Sequence, residues 1–234
     1  VFIYKKREAG WGSILNQKAN NYFHEYASAS TVIKRKNFQS AKGSYPFIKR
    51  GLDMCLSLFG LIIASPVMLL FALLIKIESK GPAFFKQERV GLNGKYFTII
   101  KLRSMTMDAE KNGAQWAQKN DPRVTKIGKF IRKTRIDELP QLYNVLAGDM
   151  SIIGPRPERP IFTAQFNKDI PGFVERLSIK PGLTGWAQIN GGYDITPEEK
   201  LNHDMYYIRN KSLKLDMKII LKTIVICFTG NGAR

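Results

Sequence analysis

Between Leu52 and Ile75 the chain reads LDMCLSLFGLIIASPVMLLFALLI, 24 residues with one charge, Asp53, near the start. As a helix rising about 1.5 Å per residue, such a run extends roughly 36 Å, enough to cross a hydrocarbon layer of about 30 Å at a tilt. A long polar stretch precedes it and no short run of small residues follows, which argues against a cleaved signal peptide. Pro66, directly after Ser65, removes one helical hydrogen bond and divides the run into two arms, 52–64 and 67–75. At about 20 Å and about 14 Å, each arm approaches the depth of one leaflet. The Ser65 hydroxyl is placed to satisfy the carbonyl that Pro66 frees. Lys34, Arg35, Lys36, Lys42, Lys49 and Arg50 come before the run, and Lys76, Lys80, Lys86, Arg89 and Lys95 follow it. Basic residues normally mark one end of a span, so their presence at both ends favours a re-entrant helix with both ends on the cytoplasmic side. An ordinary span kinked at Pro66 is the competing reading.

The 234 residues carry 37 Lys and Arg against 19 Asp and Glu, a net charge of +18. That excess implies a standing attraction to polyanions: nucleic acid, an anionic membrane face or phosphorylated substrates. Cys55 and Cys227, the two cysteines, exclude a disulfide framework and a thiol-based structural zinc site, and suit a reducing compartment. Residues 1–46 are polar, without sustained periodicity, and read as a basic arm or linker. The chain begins at Val1 rather than Met, as a fragment or processed form would.

After the apolar run, two β-prone segments flank Asn93-Gly94, a pair suited to the positive φ of a tight hairpin turn, which predicts strands at 84–90 and 95–101. Helices are expected at 105–118, 123–133 and 138–147, with breaks at Asp121-Pro122 and Gly148. From Leu213 to Phe228 apolar positions alternate with Lys214, Lys218 and Lys222, one basic stripe on a helix that either lies on a membrane or packs on a core. The fold class is therefore α+β and mostly helical.

Asp137-Glu138, in IRKTRIDELPQL, follows Arg132, Lys133 and Arg135. Adjacent carboxylates can divide labour, one coordinating a hard cation such as Mg²⁺ or attacking phosphorus while its neighbour holds metal or handles a proton. The plainer account makes Asp137 an N-cap, Glu138 a partner of the helix dipole and Pro140 a first-turn residue. In SIIGPRPERP, Pro155 and Pro157 restrict the backbone around Arg156, pre-positioning a guanidinium for bidentate phosphate recognition or simply making a rigid turn. IKPGLTGWAQINGG at 179–192 combines turn-forming glycines with Trp186, Gln188 and Asn190, groups able to stack on a base or to hydrogen-bond polar ligand edges, or else is simply a packed irregular loop. His203-Asp204 lacks a Ser or Cys nucleophile signature and reads as structural or interfacial. GLNGK has neither the spacing nor the following helix of a phosphate-binding glycine loop.

Taken in order, KRGLD at 49–53, Ser65-Pro66, KLRSM at 101–105, RIDELPQL at 135–142, GPRP at 154–157 and KPGLTGWAQING at 180–191 resemble the bacterial sugar transferases known as monotopic polyprenyl-phosphate phosphoglycosyl transferases. The resemblance covers roughly residues 46–232. It implies transfer of a sugar 1-phosphate from a nucleotide sugar, usually a UDP-sugar, to a polyprenyl phosphate such as undecaprenyl phosphate, with release of UMP. This is the first membrane step of capsule, exopolysaccharide or glycan assembly. Asp137 takes the position of the nucleophile that forms a covalent phosphosugar intermediate, with Glu138 beside it and Mg²⁺ bridging carboxylate and diphosphate. Arg132 and Arg156, with Pro155 and Pro157, match substrate-binding positions, as do Lys101 and Arg103 of KLRSM. Lys49, Arg50 and Asp53 match the motif that sets the first arm at the membrane interface, and Ser65-Pro66 the break that turns the helix back.

Three parts follow from the resemblance: an arm at 1–46, a re-entrant membrane helix hairpin at 47–76, and a small cytoplasmic catalytic domain with amphipathic interface helices at 77–234. The expected location is the bacterial inner membrane, cytoplasmic face; a homodimer stays open. Gly192 departs from the pattern, since many relatives read Arg there. The rival from another class is a non-enzymatic basic membrane-tethered protein binding nucleic acid or anionic lipid; no nucleic-acid signature is found among the basic residues, and nucleic acid is not expected as a partner. Neither the sugar nor the pathway is legible in the sequence.

Overall fold

A computed structural model of the protein describes residues 43–229, apart from 112, 114, 116, 117, 119, 193 and 194. Residues 1–42 of the expected arm thus lie outside the described residues, and the end of that segment already belongs to helix α1, Tyr45–Glu78. Helical structure runs unbroken through Pro66. Ser65 Oγ donates to the Ile62 carbonyl at 2.8 Å, the acceptor that the missing proline N–H leaves vacant. The apolar middle of α1 is bare, with Phe59 65%, Ile62 63% and Leu69 74% exposed. A soluble core helix would bury such side chains.

Both ends of α1 dock on one body. Near its start, Arg50 donates to the carbonyls of Val145 and Leu146 at 2.8 and 3.0 Å, and Asp53 accepts the Ile152 amide at 3.0 Å. Lys49 pairs with Asp53 and Asp216, and Asp216 also accepts the hydroxyls of Tyr45 and Tyr207 at 2.9 and 2.7 Å. Lys49, Arg50 and Asp53, expected at the headgroups, therefore have partners within the protein. Near its end, Ile75 packs with Ala83, Leu102 and Ile131, and Phe71 stacks on Phe130 at 5.6 Å.

Strands β1 (Phe84–Val90) and β2 (Tyr96–Leu102) pair antiparallel, Phe84 facing Leu102 and Val90 facing Tyr96. Asn93 and Gly94 turn the hairpin with φ of 55° and 79°, the conformation their residue types favour. The next expected helix, 105–118, is not formed over its described residues. Met105 bridges to Val124, the Thr106 amide donates to the Arg123 carbonyl, and 107–111 are turns. The Asp121 carboxylate accepts the Gln118 and Arg123 amides, so local donors find partners without a helix. Helix α2 then spans Lys126–Lys133, with Thr125 Oγ1 capping the Gly128 amide at 2.9 Å.

Helix α3 is Gln141–Ala147, starting three residues later than expected, and ends at Gly148 with φ of 96°. Its Asn144 side chain donates to Thr98 O and accepts from Ile100 N, so one carboxamide supplies strand-like bonds to the free edge of β2. Ser151–Ile153 (β3) and Gly182–Thr184 (β4) form a short parallel pair. A Cβ on Gly182 would stand 2.0 Å from the Gly154 nitrogen, so this glycine serves close backbone approach rather than the turning expected of it. The remaining helices are α4 (Pro160–Asp169), α5 (Trp186–Asn190), α6 (Pro197–Asn210) and α7 (Leu213–Thr229). Thr196 and Glu199 close a reciprocal capping box at the start of α6. Ile153, Tyr207 and Ile219 bury each other where β3, α6 and α7 meet. The described residues form a mostly helical α+β fold with one β-hairpin and one long apolar helix.

Candidate active site

A cavity of about 730 Å³ opens between β1, β2, the turn that carries Asp137 and Glu138, and the segment following β3. Its volume suits a molecule larger than a simple sugar. Arg132, Arg135, Lys101 and Arg156 line it together with Asp137 and Glu138. The carboxylates do not sit at the start of a helix. Arg135 adopts a left-handed backbone, φ 57°, after which Ile136–Glu138 form a single 3₁₀ turn. Pro140, with no N–H to extend that turn, precedes α3, and no side chain caps α3. The N-cap account of Asp137 is thereby overturned, because the pair stands on a turn of its own, only 7% and 6% exposed.

The two acids have different surroundings. Glu138 accepts a hydrogen bond from Lys101 Nζ at 2.9 Å and is bound by the Arg156 guanidinium. Burial disfavours its charge, but Arg156 and Lys101 outweigh that cost and hold the carboxyl well below the usual range. Asp137 has Lys101 Nζ at 3.9 Å. Burial, offset only in part by Lys101, and the neighbouring Glu138 charge push its carboxyl up to about 6. Near neutral pH both are ionised, with Glu138 committed to its cations and Asp137 the less engaged carboxylate.

A hard cation would find oxygen donors in these two acids. Among the described residues no group of three or more Asp, Glu, His or Cys side chains could hold a metal. Mg²⁺ needs no such cage, since it keeps several waters and takes one or two carboxylates plus substrate phosphates. The pair fits that requirement, Asp137 better than Glu138, whose oxygens are already hydrogen-bonded.

The other expected residues divide. Arg103 lines the cavity but spends both terminal nitrogens on the carbonyls of Lys80 and Ser79, tying the chain after α1 to β2. Pro155 and Pro157 are buried and frame Arg156 from the backbone: the Pro155 carbonyl accepts from Gly182 N, and that of Pro157 from Arg89. Ser65 and Pro66 belong to the apolar helix, not to the cavity. Trp186 stacks on Tyr206 at 5.2 Å beneath Lys218 and Lys222, outside the cavity wall, whereas Gln188 and Gly192 line it.

Sequence reasoning missed Glu158, Arg89 and Lys200 as cavity residues. Glu158 is buried and pairs with Lys200 at 2.8 Å and with Arg89 at 4.0 Å. Burial opposes its charge, yet Lys200, Arg176 and Arg89 keep its carboxyl below the ordinary range. Asp204, read as structural, pairs in the interior with Arg176, whose Nη2 also donates to the Arg156 carbonyl at 2.8 Å. The only sequence signal for Glu158 was its place beside the Pro-flanked Arg156.

A cation-lined cavity that holds both acids thus opens beside an exposed apolar helix. Residues 44–230 match the family model described as bacterial sugar transferase, and the chain belongs to that family. It is 51% identical to the UDP-N-acetylgalactosamine-undecaprenyl-phosphate N-acetylgalactosaminephosphotransferase of Aeromonas hydrophila, over 81% of this chain and 46% of that protein. It is 42% identical to the UDP-glucose:undecaprenyl-phosphate glucose-1-phosphate transferase of Escherichia coli (strain K12), over 80% of this chain and 41% of that one. With Galactosyl transferase CpsE of Streptococcus agalactiae serotype III (strain NEM316) the identity is 43%, over 82% and 45%. The chain thus spans less than half the length of each of these three relatives. None of their names supports the rival reading as a non-enzymatic binder.

Proposed function

We propose that this chain carries the catalytic part of a phosphoglycosyl transferase, moving a sugar 1-phosphate from a UDP-sugar to a polyprenyl phosphate such as undecaprenyl phosphate. The observation that carries the reading is Asp137, a buried carboxylate with Lys101 Nζ at 3.9 Å, set among Lys101, Arg132, Arg135 and Arg156 in a cavity beside the apolar helix. Transfer of a phosphoryl group between anions depends on positioning and on offsetting charge, which this lining supplies.

In the first step an Asp137 oxygen attacks the phosphorus that bears the sugar. The bond from that phosphorus to the bridging oxygen breaks, and the electron pair leaves with UMP. In the second, a phosphate oxygen of the polyprenyl phosphate attacks the same phosphorus and the aspartyl carboxylate is released. Lys101 and Arg156 keep Glu138 ionised and fixed, so that it orients the cations rather than competing as nucleophile. Mg²⁺, held by Asp137 with Glu138 beside it, would offset the charge of the diphosphate.

The helix α1 supports a re-entrant placement. Its two ends dock on one body while its apolar middle stays bare, and the catalytic body would then face the cytoplasm at the inner membrane, at the depth of the acceptor's phosphate. The test uses the full chain in nanodiscs with polyprenyl phosphate, Mg²⁺ and a panel of UDP-sugars. Acceptor-dependent UMP release is expected from one donor, and Asp137→Asn is expected to abolish it while membrane binding persists. Full turnover by that variant would refute the nucleophile assignment. For topology, cysteine probes before Leu52 and after Ile75 are expected to label from the same side.

A further inference from the structure

The fold separates the three polar side chains of WAQIN. Trp186 is stacked against Tyr206, and Asn190 donates to the Trp186 carbonyl at 2.8 Å. Gln188 alone of the three lines the cavity. Both its Nε2 and its Oε1 are buried and have no hydrogen-bond partner among the described residues. Space for that carboxamide is tight on the protein side, since a Cβ on Gly185 would stand 2.7 Å from Gln188 Oε1. Buried polar groups are nearly always paired, and a carboxamide in the cavity wall with neither its donor nor its acceptor used is the exception that needs a reason.

We propose that Gln188 is a donor-recognition residue, binding an N–H that lies beside a C=O in the nucleotide sugar. This rests on reading the cavity as the donor site. A carboxamide matches such an edge with two hydrogen bonds, Oε1 accepting from the N–H and Nε2 donating to the carbonyl. A phosphate offers no donor to Oε1, and its oxygens are better matched to the cations Lys101, Arg132 and Arg156 that line the same cavity. A hydroxyl can satisfy either atom but supplies no fixed donor-acceptor pair. A UDP-sugar carries the matching edge in the imide of uracil, whose N–H and carbonyls lie side by side in the ring. The acetamido group of an N-acetylated sugar is a trans amide whose N–H and C=O point apart, so it can take one of the two bonds but not both. Because a site built to hydrogen-bond a ligand is left unpaired by an analogue lacking the group, Gln188 discriminates as well as binds.

The experiment compares the full chain and its Gln188→Leu and Gln188→Glu variants in nanodiscs, without acceptor. Equilibrium binding of UDP-N-acetylgalactosamine, UDP-galactose and UMP is measured alongside the melting temperature of the ligand-free protein. Gln188→Leu is expected to weaken binding at least tenfold while its ligand-free melting temperature stays level or rises, because an amide without partners contributes nothing to the fold. Equal losses for all three ligands assign the contact to the uracil imide, whereas a loss confined to UDP-N-acetylgalactosamine overturns the paired edge and leaves a single bond to the acetamido group. Binding within twofold of wild type for every ligand overturns the proposal, as does weakened binding in both variants accompanied by a fall in melting temperature. A wild type whose UDP-sugar binding depends on Gln188 but which releases no UMP when acceptor is added keeps this assignment and refutes transfer. A wild type that binds no UDP-sugar overturns both.

Discussion

Asp137 and Glu138 are neighbours in sequence and of one chemical type, yet Lys101 and Arg156 hold Glu138 closely while Asp137 has Lys101 only at 3.9 Å. Lys101 touches both, so Lys101→Met is expected to cut UMP release by about 100-fold, the typical cost of removing one preorganised charge-stabilising group. A melting curve matching wild type would assign that loss to chemistry rather than to folding. Glu158 makes a stability prediction. Its carboxyl is held below its ordinary range, so its ion pairs stabilise the fold fully above that range and are lost as pH falls through the lowered value. Glu158→Gln should cost about 3 kcal/mol at neutral pH, the scale of breaking a buried pair, and should flatten the fall in melting temperature on acidification. A variant that loses stability to acid as steeply as wild type would refute that account. The acid pair and Arg156 were legible because each lies in a local pattern that restricts or charges the backbone. Arg89, Glu158 and Lys200 were not, because the cavity brings them together from three distant stretches of chain.

At the level of elements, the β-hairpin was legible to within one residue because Asn93-Gly94 encodes its turn locally. The helix expected at 105–118 failed because the pairing of Met105 with Val124 is a non-local competitor that periodicity does not register. The late start of α3 has the same lesson at shorter range: the left-handed Arg135 and Pro140 isolate a turn that reads, by composition, as a helix. Glycines separate in the same way. Gly51 in α1 has nothing within 4 Å of a built Cβ, so Gly51→Ala should stabilise by about 0.5–1 kcal/mol. Gly182→Ala drives a methyl into the Gly154 backbone and should destabilise by about 1–3 kcal/mol. Denaturant unfolding of both variants tests the pair, and opposite signs are required. Pro66→Ala restores a helical N–H for the Ile62 carbonyl and removes the reason for a bend. It is expected to move the probe after Ile75 to the side opposite that before Leu52; unchanged labelling would show that docking of the helix ends, rather than the proline, sets the placement.

For the whole molecule, the proposed function has the net charge of +18 and the bare apolar helix divide the work of binding. The helix contributes an attraction that salt leaves in place, whereas the cations attract anionic headgroups and substrates through a field screened within about 8 Å at physiological ionic strength. Raising sodium chloride from 50 to 500 mM should therefore lower kcat/KM for the nucleotide sugar several-fold while the protein stays with its vesicles in flotation. Release from the vesicles at high salt would mean that the helix does not anchor it. Both properties were visible in composition; that the two ends of the helix rest on one body was not, because it depends on partners scattered through the chain, such as Val145 and Asp216 at its start and Leu102 and Ile131 near its end.

Asp216 joins Tyr45 across 171 positions of sequence. On a ribosome adding about 5–20 residues per second, the hydroxyl that opens α1 is made on the order of ten seconds or more before the carboxylate that receives it. On the proposed membrane placement, the apolar helix meets the bilayer while its own fastening is still unwritten, so insertion comes first in time and the folded body is assembled onto a helix already in place.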